Sequence, residues 1–75
     1  MSKFKKISGE VCIKILCNRF NFEIARQRGS HVVLKKTNGR KIGTVVPKHP
    51  ELKTGTLNAI LKQAEINREE FFEEI

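Results

Sequence analysis

The sequence predicts an α+β two-layer sandwich in the order α-β-β-β-α-α, with a three-stranded antiparallel sheet covered on one face by helices. Three observations predict it. Apolar stripes at helical spacing lie near both ends, short runs of strand character lie between them, and an Asn38-Gly39 pair joins the last two of those runs.

The first helix is marked by Ser8 as N-cap, by Glu10 in the first turn and by Val11, Cys12, Ile15 and Leu16 as its apolar residues, which predicts a span near Ser8 to Asn18. From Phe20 to Arg26 apolar and polar residues alternate with period two, and Gly29-Ser30 supplies a turn, so a short first strand is expected there. The run His31-Val32-Val33-Leu34-Lys35-Lys36 and the run from Lys41 to Val46 then flank the Asn-Gly hairpin signal. If Asn38 and Gly39 alone form the loop, Leu34 faces Gly43, Val32 faces Val45 and His31 faces Val46. Alternation then assigns Val32, Leu34 and Val45 to the core face, and His31, Val33, Lys35 and Thr44 to the other.

Pro47 and Pro50 cannot donate to a ladder, so the third strand ends there and a partly ordered loop through Glu51-Leu52-Lys53 is expected. Thr54 is the expected N-cap of a second helix whose stripe is Leu57, Ile60, Leu61 and Ala64. Asn67 with Glu70 three residues later reads as a variant capping box, and Ile66 as a staple onto Phe71, which predicts a short acidic third helix. Phe4, Phe20, Phe22, Phe71 and Phe72 sit beside the apolar stripes and read as core residues rather than base-stacking platforms.

With 75 residues the chain is expected to form one domain, residues 1–75. A chain this short buries only roughly 60% of its unfolded surface, so function is expected on a face or in a shallow groove. The formal net charge is +7, and five of the eight acidic residues fall in the last eleven positions. The rest of the chain holds fourteen basic and three acidic side chains, about +11, and should attract polyanions. Nucleic acid is the better match than membrane, because no helix sets a basic face opposite bulky apolar residues. Cys12 and Cys17 fall on different faces of one helix and cannot readily pair, and no further cysteine completes a metal quartet. No apolar run follows the basic N-terminus, so neither secretion nor a membrane span is supported, and a cytoplasmic location is expected.

The chain has no Asp and only two histidines, so Ser-His-Asp hydrolysis and metal sites built on several Asp are excluded by inventory. His31 follows the Gly-Ser turn, shares a predicted face with Lys35 and is close in sequence to Arg26 and Arg28, where a phosphate can be held beside an imidazole. An imidazole takes and gives protons near neutrality. RNA carries its own nucleophile, the 2′-hydroxyl, so one or two histidines with Lys or Arg suffice to cleave it, and no metal is required. His49, beside Lys48, is open to two readings, a second acid–base or phosphate-binding group and a solvated loop residue. Gly29-Ser30 and Thr54-Gly55-Thr56 lack a Walker or dinucleotide pattern, so no nucleotide cofactor is expected.

Three segments together carry a family resemblance: Arg26-Gln27-Arg28-Gly29-Ser30-His31, Val45-Val46-Pro47-Lys48-His49, and Leu52-Lys53-Thr54-Gly55-Thr56-Leu57 continuing through Ile60-Leu61-Lys62-Gln63-Ala64. With them the chain resembles the HicA (YcfA-like) toxins from Ser8-Gly9 to Glu70-Phe71. The resemblance implies a fold like the double-stranded RNA-binding domain and an mRNA endoribonuclease (mRNA interferase) that needs no metal. It also implies a catalytic histidine at the position of His31 and a HicB-type antitoxin that covers the active face. Arg26, Arg28, Ser30, Lys35, Lys48 and His49 are then the expected RNA-binding residues. One departure is Glu65, where relatives often carry Gly before the final helix. Two other readings stay open at this point: a non-catalytic double-stranded RNA-binding module, and an interaction subunit whose basic face docks an acidic protein.

Overall fold

Ser8 takes an extended conformation and its side chain accepts from the Val11 N–H at 3.1 Å, which starts the first helix, α1 (Gly9–Arg19). The computed structural model describes residues 6–37 and 40–75, so Phe4 and the Asn38-Gly39 pair lie outside the described residues. After α1 come β1 (Glu23–Arg28), β2 (His31–Thr37), β3 (Lys41–Pro47), α2 (Thr54–Ala64) and α3 (Arg68–Phe72). The three strands form one antiparallel sheet in the order β1-β2-β3. This is the expected α+β layout, with some boundaries moved.

The first strand begins later than the period-two pattern predicts. Phe20 caps α1 by donating its N–H to the Leu16 carbonyl, and Asn21 turns the chain with a φ of 63°. Asn is one of the few residues that tolerates this left-handed conformation at modest cost. The turn drops Phe22 into the core under Lys36, whose Nζ lies 5.6 Å from the ring centroid. The alternation from Phe20 therefore belongs partly to the helix end and partly to the strand.

The hairpin register differs from expectation by one residue. Thr37 pairs with Lys41, so Arg40 lies outside the ladder. Val32 then faces Val46, Leu34 faces Thr44 and His31 faces Pro47. A one-residue slip exchanges the two faces of a strand. Val45, assigned to the core from the sequence, is 42% exposed, and Thr44, assigned to the outer face, is 3% exposed. Leaving a buried hydroxyl unpaired costs about 1–3 kcal/mol. Thr44 avoids that cost by donating from Oγ1 to the Gln63 Oε1 of α2 at 2.9 Å.

Val32, Leu34 and Val46 thus make the inner face, and α1 and α2 cover it with Cys12, Leu16, Leu57, Ile60, Leu61 and Ala64. Lys53, in an extended conformation, is the N-cap of α2 and makes no side-chain cap, so Thr54 is the first helical residue rather than the cap. Asn67 caps α3 as predicted, accepting from the Glu69 and Glu70 N–H groups. Phe71 of α3 is fully buried and stacks on Phe20 at 6.5 Å, with Phe72 edge-on at 5.5 Å. Ile66 packs against the same core, and an Arg19–Glu74 ion pair at 3.0 Å ties the acidic terminus to the end of α1. Phe20, Phe22, Phe71 and Phe72 all serve the core.

Glu65 closes α2 in the left-handed conformation, φ 58°, with its N–H directed at the Leu61 and Lys62 carbonyls. A residue with a Cβ pays about 1–2 kcal/mol there relative to glycine. Its carboxylate pairs with Arg40 across an exposed contact, worth about 0–1 kcal/mol. Glu65→Gly is expected to raise stability by about 1 kcal/mol, read as a higher urea midpoint. An unchanged or lower midpoint would mean that the Arg40 pair outweighs the backbone cost.

Both cysteines are free; Cys12 is fully buried and Cys17 half-buried. Burial pushes the Cys12 thiol up to about 12 from an ordinary 9.0. The unfolded chain therefore loses this proton near its ordinary value while the folded chain keeps it. The folded state is undisturbed below pH 9.0 and loses stability as pH rises from there towards 12, at no more than about 1.4 kcal/mol per pH unit. Urea titrations on either side of pH 9.0 should show this slope in the native chain and a shallower one in Cys12→Ala.

Candidate nucleic-acid interface

Strict alternation along β1 would send Glu23 and Arg28 to opposite faces of the sheet. It does not hold, because the pairing of β1 with β2 shifts between Ile24 and Arg26, leaving Ala25 as the extra residue of a bulge. Before the bulge Glu23 pairs with Lys35 and Ile24 with Leu34. After it Arg26 pairs with Val33, Gln27 with Val32 and Arg28 with His31. Residues directly opposite share a face, so the bulge turns Arg26 and Arg28 onto the face of His31.

On that outer face His31, Lys35, Gly43 and Val45 are exposed, and Pro47 is buried where α1 approaches it. His31 stands at its end, exposed, with Arg28 on one neighbouring strand and Pro47 on the other. Next along the sheet come Arg26, Val33 and the exposed Val45, and beyond them Glu23, Lys35 and Gly43. Lys35 is four residues along β2 from His31, about 13 Å at the usual strand rise. Arg28 can therefore share a phosphate with His31, whereas Lys35 can meet only a different one.

Ser30, Lys48 and His49 belong to a backbone clasp beside His31. The Lys48 N–H donates to the Ser30 carbonyl at 2.6 Å, the Gly9 N–H donates to the His49 carbonyl at 2.9 Å, and the Leu52 N–H donates to the Ile7 carbonyl at 2.8 Å. The loop after β3, expected to be only partly ordered, is thus tied at three points to the β1–β2 turn and to the start of α1. The side chains of Ser30, Lys48 and His49 are exposed. Among the described residues, no three His, Cys, Asp or Glu side chains converge as a metal site. No described helix is long and apolar enough to cross a membrane.

Sequence reasoning missed Gly9. A Cβ at this position would lie 2.0 Å from the Pro47 carbonyl oxygen and 2.9 Å from the Lys48 Cα, far inside contact distance with backbone. Only a glycine lets α1 approach the end of β3 so closely. The available signal was a glycine at the first helical position directly after a good N-cap, where nothing local requires one. The bulge at Ala25 left no such signal.

A family profile described as "HicA toxin of bacterial toxin-antitoxin" matches residues 9–66. The match runs from the first residue of α1 past the end of α2 and takes in the whole sheet and every residue of the clasp except Ile7. No curated protein and no solved structure matches the chain.

Two substitutions separate the clasp from helix stability in general. Ser8→Ala removes the cap and is expected to cost about 1 kcal/mol without moving the loop after β3. Gly9→Ala must displace Pro47 and Lys48. Both variants should unfold at lower urea concentration, but only Gly9→Ala should shift the amide resonances of His31, Lys48 and His49. Unshifted resonances in Gly9→Ala would disprove the clasp.

Proposed function

The chain belongs to the HicA toxin family of bacterial toxin–antitoxin systems, and from that premise we propose that it is an mRNA endoribonuclease in which His31 is the acid–base group. The observation that carries this reading is the cross-strand pairing of His31 with Arg28, both exposed. A neutral imidazole takes the proton from the 2′-hydroxyl, whose oxygen then attacks the adjacent phosphorus. The guanidinium of Arg28 offsets the charge that builds on the phosphorane oxygens. The bond from phosphorus to the 5′-oxygen breaks, and the imidazolium returns its proton to that leaving oxygen. The products are a 2′,3′-cyclic phosphate and a free 5′-hydroxyl, with proton and electron pair accounted for and no metal needed.

Lys48, Ser30 and His49 frame the same end of the sheet through the clasp and are proposed to bind the phosphates next to the scissile one. Arg26 and Lys35 follow along the strands and are proposed to hold successive phosphates. A HicB-type antitoxin is the proposed partner. The outer face suits it, because Val33 and the exposed Val45 form an apolar centre bordered by Arg26, Arg28 and His31. The proposed setting is the cytoplasm, where mRNA is translated.

Purified chain should cleave single-stranded RNA in EDTA and leave 2′,3′-cyclic phosphate ends, and His31→Ala should lose this activity by at least about 100-fold. Arg28→Ala should lose activity while still binding RNA, with a shallower dependence of binding on salt. Full cleavage by His31→Ala would remove the histidine from the chemistry. Tight, salt-sensitive binding without cleavage by the unmodified chain would favour a non-catalytic RNA-binding module.

A further inference from the structure

The inner face of β1 is not covered. Ile24 is 56% exposed although it pairs with the fully buried Leu34, because α1 and α2 close over β2 and β3 and stop short of the edge strand. The gap between β1 and α1 is a cavity of about 280 Å³, just below the range of about 300–1,000 Å³ common for small-ligand sites. Its lining is apolar at the bottom, with Ile13 of α1 and Val32 of β2, both buried. Its rim is polar, with Glu10 and Lys14 from α1, Gln27 from β1 and Lys48 from the clasp.

We propose that this cavity takes one unpaired base of an RNA strand that carries an exocyclic amino group, with that amino group donating to Glu10 and the flanking phosphates on Lys14 and Lys48. The proposal deepens the RNA reading and rests on it. An open cavity with an apolar floor between a helix and a strand suits the face of a base, and single-stranded RNA is read through such splayed bases. Gln27 is held in place by donating its Nε2 to the Gly29 carbonyl at 2.9 Å, which leaves its amide oxygen to accept. Glu10 and Gln27 thus both offer acceptors, and an amino group is the complementary donor. Adenine, guanine and cytosine carry one; uracil carries none, and its N3–H lies between two carbonyl oxygens that these acceptors repel. Lys48 is also the residue whose N–H donates to the Ser30 carbonyl, immediately before His31. A strand held at His31 on the outer face can therefore turn over Lys48 and place a neighbouring base in the cavity.

Glu10 decides between this proposal and plain electrostatics. A carboxylate on a basic surface repels RNA, so its removal should tighten binding to any sequence. If it accepts from a base, its removal should weaken binding to RNA with that base. The probes are 2′-O-methyl pentanucleotides, which have no free nucleophile and cannot be cleaved. Each has uracil at the outer positions and adenine, guanine, unsubstituted purine or uracil at the centre.

Amide resonances of the full chain should move at Ile13, Lys14, Ile24 and Gln27 with the adenine and guanine probes. Affinity should be about tenfold lower for the unsubstituted purine and the all-uracil probes, the loss of one hydrogen bond to a charged group. Glu10→Ala should bring adenine and guanine down to that level. Equal affinity for all four probes, resonance shifts confined to other residues, or tighter binding by Glu10→Ala would overturn the proposal. Failure of cleavage with this binding intact would overturn the ribonuclease reading alone, and cleavage without it would overturn the base site alone.

Discussion

The close approach of α1 to the end of β3 is the constraint on which the rest of the arrangement depends. Gly9 has no side chain to keep the Pro47 carbonyl away, and its N–H holds the His49 carbonyl at 2.9 Å. This contact fixes the height of α1 over the sheet, and with it the depth at which Cys12 and Leu16 meet Val32 and Val46. It also fixes where the chain goes after the third strand. Proline at position 47 sits opposite His31 at a pair where the edge strand needs no N–H towards β2, and the ladder runs one residue further through the Lys48 N–H on the Ser30 carbonyl. His31 therefore begins a strand whose neighbours on both sides are pinned by backbone.

The sheet register follows a different logic, in which burial and not turn type decides. A two-residue loop would have brought Val45 inward and left Thr44 and Val46 on the open face. In the register observed the inner positions of β3 are Ile42, Thr44 and Val46. The second arrangement exposes one valine and buries one threonine, which looks unfavourable until partners are counted. Val46 is fully buried against Val32, and the Thr44 hydroxyl has an acceptor in Gln63. A buried polar group that is satisfied costs little, whereas a buried valine contributes about 1.5–3 kcal/mol.

Much of this was legible in the residues. The helical stripes, the cap at Ser8, the cap at Asn67 and the element order follow from local chemistry that acts within a few positions. The errors share a cause: each depended on something distant in sequence. The hairpin register depended on Gln63 in α2, the late start of β1 on the core position that Phe22 takes under Lys36, and the ordered loop after Pro47 on Gly9. Glu65 is the converse case. Its left-handed conformation is what a glycine there would signal, and the chain adopts it without the glycine because the helix must end before Ile66 reaches the core.

The candidate site shows the same division between local and distant causes. His31 was found by inventory, since a chain with two histidines and no Asp offers few alternatives. That Arg26 and Arg28 share its face could not be found so, because simple alternation from Glu23 puts them on the other side. One extra residue at Ala25 reverses this. The bulge also spoils the outer edge of β1 as a template for another strand, and the charged Glu23, Arg26 and Arg28 discourage such pairing further. The same irregularity thus protects an exposed edge and collects positive charge beside the imidazole. The opposite face of that strand is left as the uncovered cavity, since a bulged edge strand curls away from helices that already have β2 and β3 to pack against.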